Sequence, residues 1–120
     1  MKIPTSPERM DILDMRRRLG NDEGLIAELL TLFLDDYRAQ LAALEVAINA
    51  RRHDDIRRYA HALKGSAGIV SAFGVTETAA ALEELAERSD VANLDHQFAT
   101  LVFEIDQLVA ELCGPSSKRL

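Results

Sequence analysis

Val91-Ala92-Asn93-Leu94-Asp95-His96-Gln97-Phe98-Ala99-Thr100-Leu101-Val102-Phe103-Glu104-Ile105-Asp106-Gln107-Leu108-Val109-Ala110-Glu111-Leu112 carries the cleanest repeat in this chain. Its apolar residues Val91, Leu94, Phe98, Leu101, Ile105, Leu108 and Leu112 step by three and four. A strand would return a side chain to the same face every second residue, whereas a helix does so every third or fourth. The stretch therefore reads as one long amphipathic helix, and its apolar stripe needs other elements to cover it.

The same period recurs upstream. A helix from about Glu23 to Ala50 carries Ile26, Leu30, Phe33, Tyr37, Leu41, Leu44 and Ile48. After a turn at Arg51-Arg52-His53, Asp54 or Asp55 is expected to cap a third helix with the stripe Ile56, Ala60, Leu63, Ala67 and Val70. That helix runs out between Ser71 and Gly74. A fourth is expected from about Val75 to Arg88, with Ala79, Leu82 and Ala86 inward, and Ser89-Asp90 breaks it. Gly114-Pro115 is expected to end the fifth, leaving residues 116–120 as a disordered tail. At the other end, Ser6-Pro7 reads as N-cap and first residue of a short helix. Met10, Leu13 and Leu19 form its stripe, and Gly20-Asn21-Asp22 stops it. The expectation is an all-α fold: an antiparallel up-down four-helix bundle with a short additional N-terminal helix, in a single domain over residues 1–115.

Composition narrows the function. The 120 residues suffice for one core, and prolines are confined to Pro4, Pro7 and Pro115. A net charge of −6 argues against nucleic acid and anionic membrane as partners. The lone Cys113 has no intramolecular disulfide partner and matches a reducing compartment. There is no apolar run long enough to span a bilayer and no signal-peptide apolar region after Met1-Lys2-Ile3-Pro4. These features point to a cytoplasmic protein, and a monomer is expected.

One segment breaks the helical regularity: His61-Ala62-Leu63-Lys64-Gly65-Ser66-Ala67-Gly68. Each interior glycine costs about 1 kcal/mol relative to alanine. Gly65 and Gly68 lie four and seven residues after His61, on the same side of the helix as His61, Lys64 and Arg57 and off the core stripe. Two glycines there would leave a shallow depression beside the imidazole. The competing explanation is tight helix packing, although Ala60 and Ala67 already supply small residues on the inner face. A hairpin argument adds Glu83. Helices three and four turn near Ala72, and His61 and Glu83 are equidistant from it, so they should be level. A carboxylate there would accept a hydrogen bond from Nδ1–H and leave Nε2 free. Arg51, Arg52, Arg57, Arg58 and Lys64 crowd the same region of a net acidic chain. They form either a solvated basic face or a surface for an anionic partner, and Glu87 is level with Arg57 by the same arithmetic.

A neutral imidazole is a competent nucleophile toward phosphorus, and Lys64, one turn away, can neutralise phosphoryl oxygens. The chain lacks a phosphate-binding loop, a kinase signature and a Mg²⁺ constellation. The phosphoryl group and its metal must then arrive on another protein. No metal site of its own is expected, and none of His53, His61 or His96 has the Glu three residues earlier that di-iron bundles use.

His61-x-x-Lys64-Gly65-Ser66-Ala67-Gly68 on such a scaffold resembles the histidine-containing phosphotransfer (HPt) domain. So do the opening Leu19-Gly20-Asn21-Asp22 and the Leu29-Leu30-x-x-Phe33 of helix two. The resemblance implies phosphorylation of His61 on Nε2, contact of Lys64 with the phosphoryl group, and docking of a receiver domain over Gly65 and Gly68, with Arg57 and Arg58 on the partner-binding side. It implies no cofactor, with Mg²⁺ held by the receiver. The expected partners are response-regulator receiver domains and a sensor or hybrid histidine kinase. The position 22 residues after the histidine is often glutamine in the family. Here it is Glu83, a departure shared with the histidine-bearing domain of chemotaxis-type kinases, where the carboxylate raises imidazole nucleophilicity. Two alternatives remain: the substrate domain excised from a chemotaxis-type or hybrid kinase, and a structural helical interaction module.

Overall fold

The connections between the long helices are three residues each, at 50–52, 70–72 and 88–90, so consecutive helices must run antiparallel. The computed structural model describes residues 10–118. Its elements are α1 (Ile12–Arg18), α2 (Glu23–Asn49), α3 (His53–Ile69), α4 (Phe73–Glu87) and α5 (Val91–Lys118). Helices α2 to α5 form the expected up-down bundle and α1 is the short additional helix. The closest pairing is α3 with α4, while α2 and α5 meet less extensively.

The core follows the sequence stripes. Leu44 and Ile48 of α2, Ile56, Ala60, Leu63 and Ala67 of α3, Ala79 and Leu82 of α4, and Leu94, Leu101, Ile105 and Leu108 of α5 are all buried. Burying a leucine or isoleucine contributes about 1.5–3 kcal/mol. Because these side chains lie inward on α3, the opposite face of that helix is left to solvent.

Three of the turns share one device. Arg51, Ser71 and Ser89 each take a left-handed conformation, with φ of 56°, 55° and 53°. Each N–H reaches back into the preceding helix: Arg51 to the Ile48 carbonyl at 3.0 Å, Ser71 to Gly68 at 3.1 Å, Ser89 to Ala86 at 3.1 Å. The next N–H reaches one residue further, with Arg52 donating to Ala47, Ala72 to Ala67 and Asp90 to Leu85. This is the Schellman motif, which usually places glycine at the left-handed position. A side chain there is strained by about 1–2 kcal/mol. Ser89 is exposed, so Ser89→Gly should stabilise the domain by about 0.5–1 kcal/mol once the extra freedom of the unfolded chain is subtracted. A thermal melt should show this as a rise of about 2–5 °C. A fall would mean that the serine side chain stabilises the turn.

Several boundaries differ from the sequence reading. Ser6-Pro7 lies outside the described residues; α1 is capped instead by Asp11, whose carboxylate accepts from the Asp14 N–H at 2.9 Å. Its inward residue is Met15, fully buried, while Leu13 is 72% exposed: Met10 precedes the helix, so its spacing to Leu13 does not place the two on one face, although Met10 and Leu19 do pack on the core. Gly20-Asn21-Asp22 does stop α1, and Asp22 caps α2 by accepting from the Leu25 N–H. Neither Asp54 nor Asp55 caps α3. The turn at Arg51 brings Arg52 into the N-cap position, without a side-chain cap, and both aspartates fall in the first turn beside the positive end of the helix dipole. Helix α4 begins at Phe73, two residues earlier than expected, because the Ser71 turn already points the chain back along α3. Helix α5 continues through Gly114 and Pro115 to Lys118. A proline removes one N–H from the helix ladder but does not oblige the chain to leave it near its end.

Candidate functional site

Helix α3 presents His61 outward because Ala60 and Leu63 fix its rotation against the core. The imidazole is 65% exposed. Its Nδ1 lies 3.0 Å from Oε2 of Glu83 on α4, 22 positions along the chain. A carboxylate only accepts, so the ring donates from Nδ1–H, and Nε2 carries the lone pair facing solvent. The hairpin register inferred from equal distance to the turn therefore describes the real pairing.

Glu83 is shared. Lys64 Nζ stands 2.9 Å from its Oε1, close enough for an ion pair but without the angle of a good hydrogen bond. Burial works against the charge of Glu83, but the Lys64 ammonium and the His61 ring outweigh it, holding the carboxyl below its ordinary value. Because the folded-state value is depressed, this group adds stability that is complete above the ordinary carboxylate range. That stability is lost as pH falls through the lowered value. Lys64 is thus tied to Glu83 here, a partner the sequence reading did not assign to it.

Loss of Glu83 should act on the ring more than on the fold. With Glu83→Ala, nitrogen NMR should show the Nδ1–H tautomer of His61 giving way to a mixture, while stability falls by about 1–2 kcal/mol, because the largely buried carboxylate is the partner of both His61 and Lys64. An unchanged tautomer would mean that another group orients the ring.

The glycines are not packing residues. A Cβ on Gly65 or on Gly68 would meet nothing within 4 Å. The tight-packing explanation therefore fails, and both positions leave backbone open to an approaching surface. By contrast, a Cβ on Gly74 would come within 2.7 Å of the Glu104 carboxylate, which would have to swing aside.

The basic cluster is mostly spoken for. Arg51 pairs with Asp95 at 3.4 Å, Arg52 and Arg58 with Asp55, and the Arg58 guanidinium lies over the Tyr59 ring, 5.2 Å from its centroid. Arg57 and Glu87, level in the hairpin, form no ion pair with each other. Among the described residues Arg57 is the one cation of this cluster without an acidic partner, and it sits one turn before His61. Two openings border α3. A cleft of about 330 Å³ is lined by Lys64, Ala80, Glu83, Glu84 and Glu87. On the other side, a groove of about 190 Å³ between α2 and α3 is lined by Leu29, Leu32, Phe33, Asp36, Ser66, Ile69 and Val70. Leu32 and Ile69 are half exposed. Sequence reasoning missed this groove, although these two apolar residues off the core stripes were its signal. His53 and His96 lie elsewhere: His53 is the first residue of α3, and His96 is exposed on α5.

Among the described residues no group of three His, Cys, Asp or Glu side chains gathers as a metal site. No curated protein and no solved structure matches the chain. A family model described as Hpt domain matches residues 28–114, which run from the first turns of α2 to near the end of α5 and include His61, Lys64 and Glu83. With an exposed, carboxylate-oriented histidine on the third helix of such a bundle and a match over most of its length, the chain belongs to the Hpt domain family.

Proposed function

We propose that this domain is a phosphorelay intermediate that accepts a phosphoryl group on His61 Nε2 and passes it to a receiver aspartate. Hpt domains are phosphotransfer carriers rather than kinases, and they act in two-component signalling with histidine kinases and receiver domains. The observation that carries the assignment to His61 is the Nδ1–H bond to Glu83, which leaves Nε2 as the exposed nucleophile.

In the forward step the Nε2 lone pair attacks the phosphorus of an aspartyl phosphate. The N–P bond forms, the P–O bond breaks, and the carboxylate leaves with its electrons. The imidazole then carries positive charge with Nδ1–H retained, and Glu83 stabilises that charge. In the next step a receiver carboxylate oxygen attacks phosphorus and Nε2 recovers its lone pair. We assign to Lys64 the phosphoryl oxygens, once it parts from Glu83, and to Arg57 and Arg58 the approach of the acidic partner face. Gly65, Gly68 and the α2–α3 groove form the docking side. The Mg²⁺ that neutralises the transferring group belongs to the receiver. The reading is of a monomer in the cytoplasm, and no helix among the described residues is long and apolar enough to cross a membrane.

A second reading is favoured by one residue. Glu83, where the family often has glutamine, suits the substrate domain of a chemotaxis-type kinase. Both readings require label on His61, whereas a structural interaction module does not. Incubation with radiolabelled phosphoramidate should yield an acid-labile phosphohistidine that a receiver domain discharges. Absence of label would leave the interaction module. Label that a histidine kinase supplies from ATP but that no phosphorylated receiver supplies would shift the assignment to the kinase substrate domain.

A further inference from the structure

Helix α1 is joined to the histidine-bearing helix by a polar hub built on a buried serine. Ser71, the left-handed residue after α3, is fully buried, whereas Arg51 and Ser89 at the equivalent turns are exposed. Its hydroxyl accepts from the Arg18 guanidinium at 2.6 Å and donates to Asp14 Oδ2 at 2.8 Å. The same guanidinium donates to the Ile69 carbonyl at 2.9 Å and the Gly68 carbonyl at 3.3 Å, and its Nε lies 3.0 Å from Asp14 Oδ2. The Asp11 N–H donates to the Ser71 carbonyl at 2.9 Å. Arg18 thus adds a donor to the Gly68 carbonyl, which the Ser71 N–H already reaches, and occupies the Ile69 carbonyl in the last turn, where helix carbonyls lack intrahelical partners. Glycine would adopt the Ser71 conformation without strain. Serine brings the hydroxyl that closes the hub.

The turn held in this way borders the docking side. Ile69 and Val70 line the α2–α3 groove, and Gly68 opens onto solvent. Helix ends open locally at low free energy, while in-line transfer demands placement to within about 1 Å. We infer that Arg18 is a positioning residue: through Gly68, Ile69 and Ser71 it holds the C-terminal turn of α3 in the shape on which a receiver domain docks. It acts without touching the phosphoryl group. The inference rests on the relay reading of His61.

Arg18→Gln and Ser71→Gly in the full chain test it. Labelling by phosphoramidate should stay within about twofold of the parent, since Nε2 and Glu83 are untouched. Discharge is read with the receiver domain that, within a panel, discharges the wild-type protein fastest. For both variants the KM for that receiver should rise about 10-fold with a smaller change in kcat. Backbone amides of residues 69–72 should lose hydrogen-exchange protection while Leu63 keeps its own. In Ser71→Gly the relief of left-handed strain offsets the two lost hydroxyl bonds, so its melting temperature should stay within a few degrees of the parent while transfer still slows, which a merely structural role would not produce. Parental KM in both variants, corrected for folded fraction, overturns the inference and leaves the relay reading intact. If the wild-type protein takes no label, the relay reading falls and this inference falls with it.

Discussion

His61→Gln should carry no acid-labile phosphoryl label under conditions that label the parent to completion. The imidazole is 65% exposed, so its replacement opens no cavity in the core. Glutamine can still donate to Glu83 but has no nucleophilic nitrogen. The circular dichroism spectrum should be unchanged, and stability should move by no more than about 0.5 kcal/mol, as for surface substitutions generally. Among the described residues, His53 and His96 have neither a carboxylate partner of this geometry nor flanking open glycines. Label that persists in the variant would place the phosphoryl group on another residue and remove the basis of the relay reading.

Gly68→Gln should separate stability from transfer. A Cβ at this position meets no atom within 4 Å, so a side chain fits in the isolated domain. Glutamine is the better helix former by about 0.5–1 kcal/mol, so the melting temperature should hold or rise slightly. On a docked receiver the same side chain would stand between the two surfaces. Displacing the aspartyl phosphate by about 1 Å from its line with Nε2 costs on the order of 100-fold in rate. Transfer to a receiver should collapse, while the slow reaction with phosphoramidate persists. A destabilised variant that transfers normally per folded molecule would make Gly68 a packing residue and move the docking face elsewhere around His61.

The pairing of His61 with Glu83 is legible in the sequence because it is arithmetic. Two antiparallel helices with a short turn share one rise per residue, so equal distance from the turn means equal height. The same rule places Arg57 level with Glu87, yet they do not pair. Height is only one coordinate, and long side chains on exposed faces have other choices. Lys64 shows the converse. Its offset from His61 puts it on the right face, but its tie to Glu83 needs the azimuth of α4. The helix starts differ from the sequence reading for a local reason: Arg51, Ser71 and Ser89 turn the chain as glycine would, and nothing in their composition signals a left-handed turn. Once such a turn is made, the next helix starts where the geometry allows, at His53 or Phe73.

By itself the sequence determined the number of long helices, the inward face of each and that His61 lies off the core stripe of its helix. Those properties follow from a period of about 3.6 residues and the burial of one stripe, and both are local. Only the tertiary structure decided that Gly65 and Gly68 face open space, that Leu32 and Ile69 flank a groove, and that Arg18 closes the end of α3 through a buried serine 53 positions away. These depend on how each helix is rotated and shifted against its neighbours. Interlocking side chains from distant segments set that rotation, and no single segment contains it.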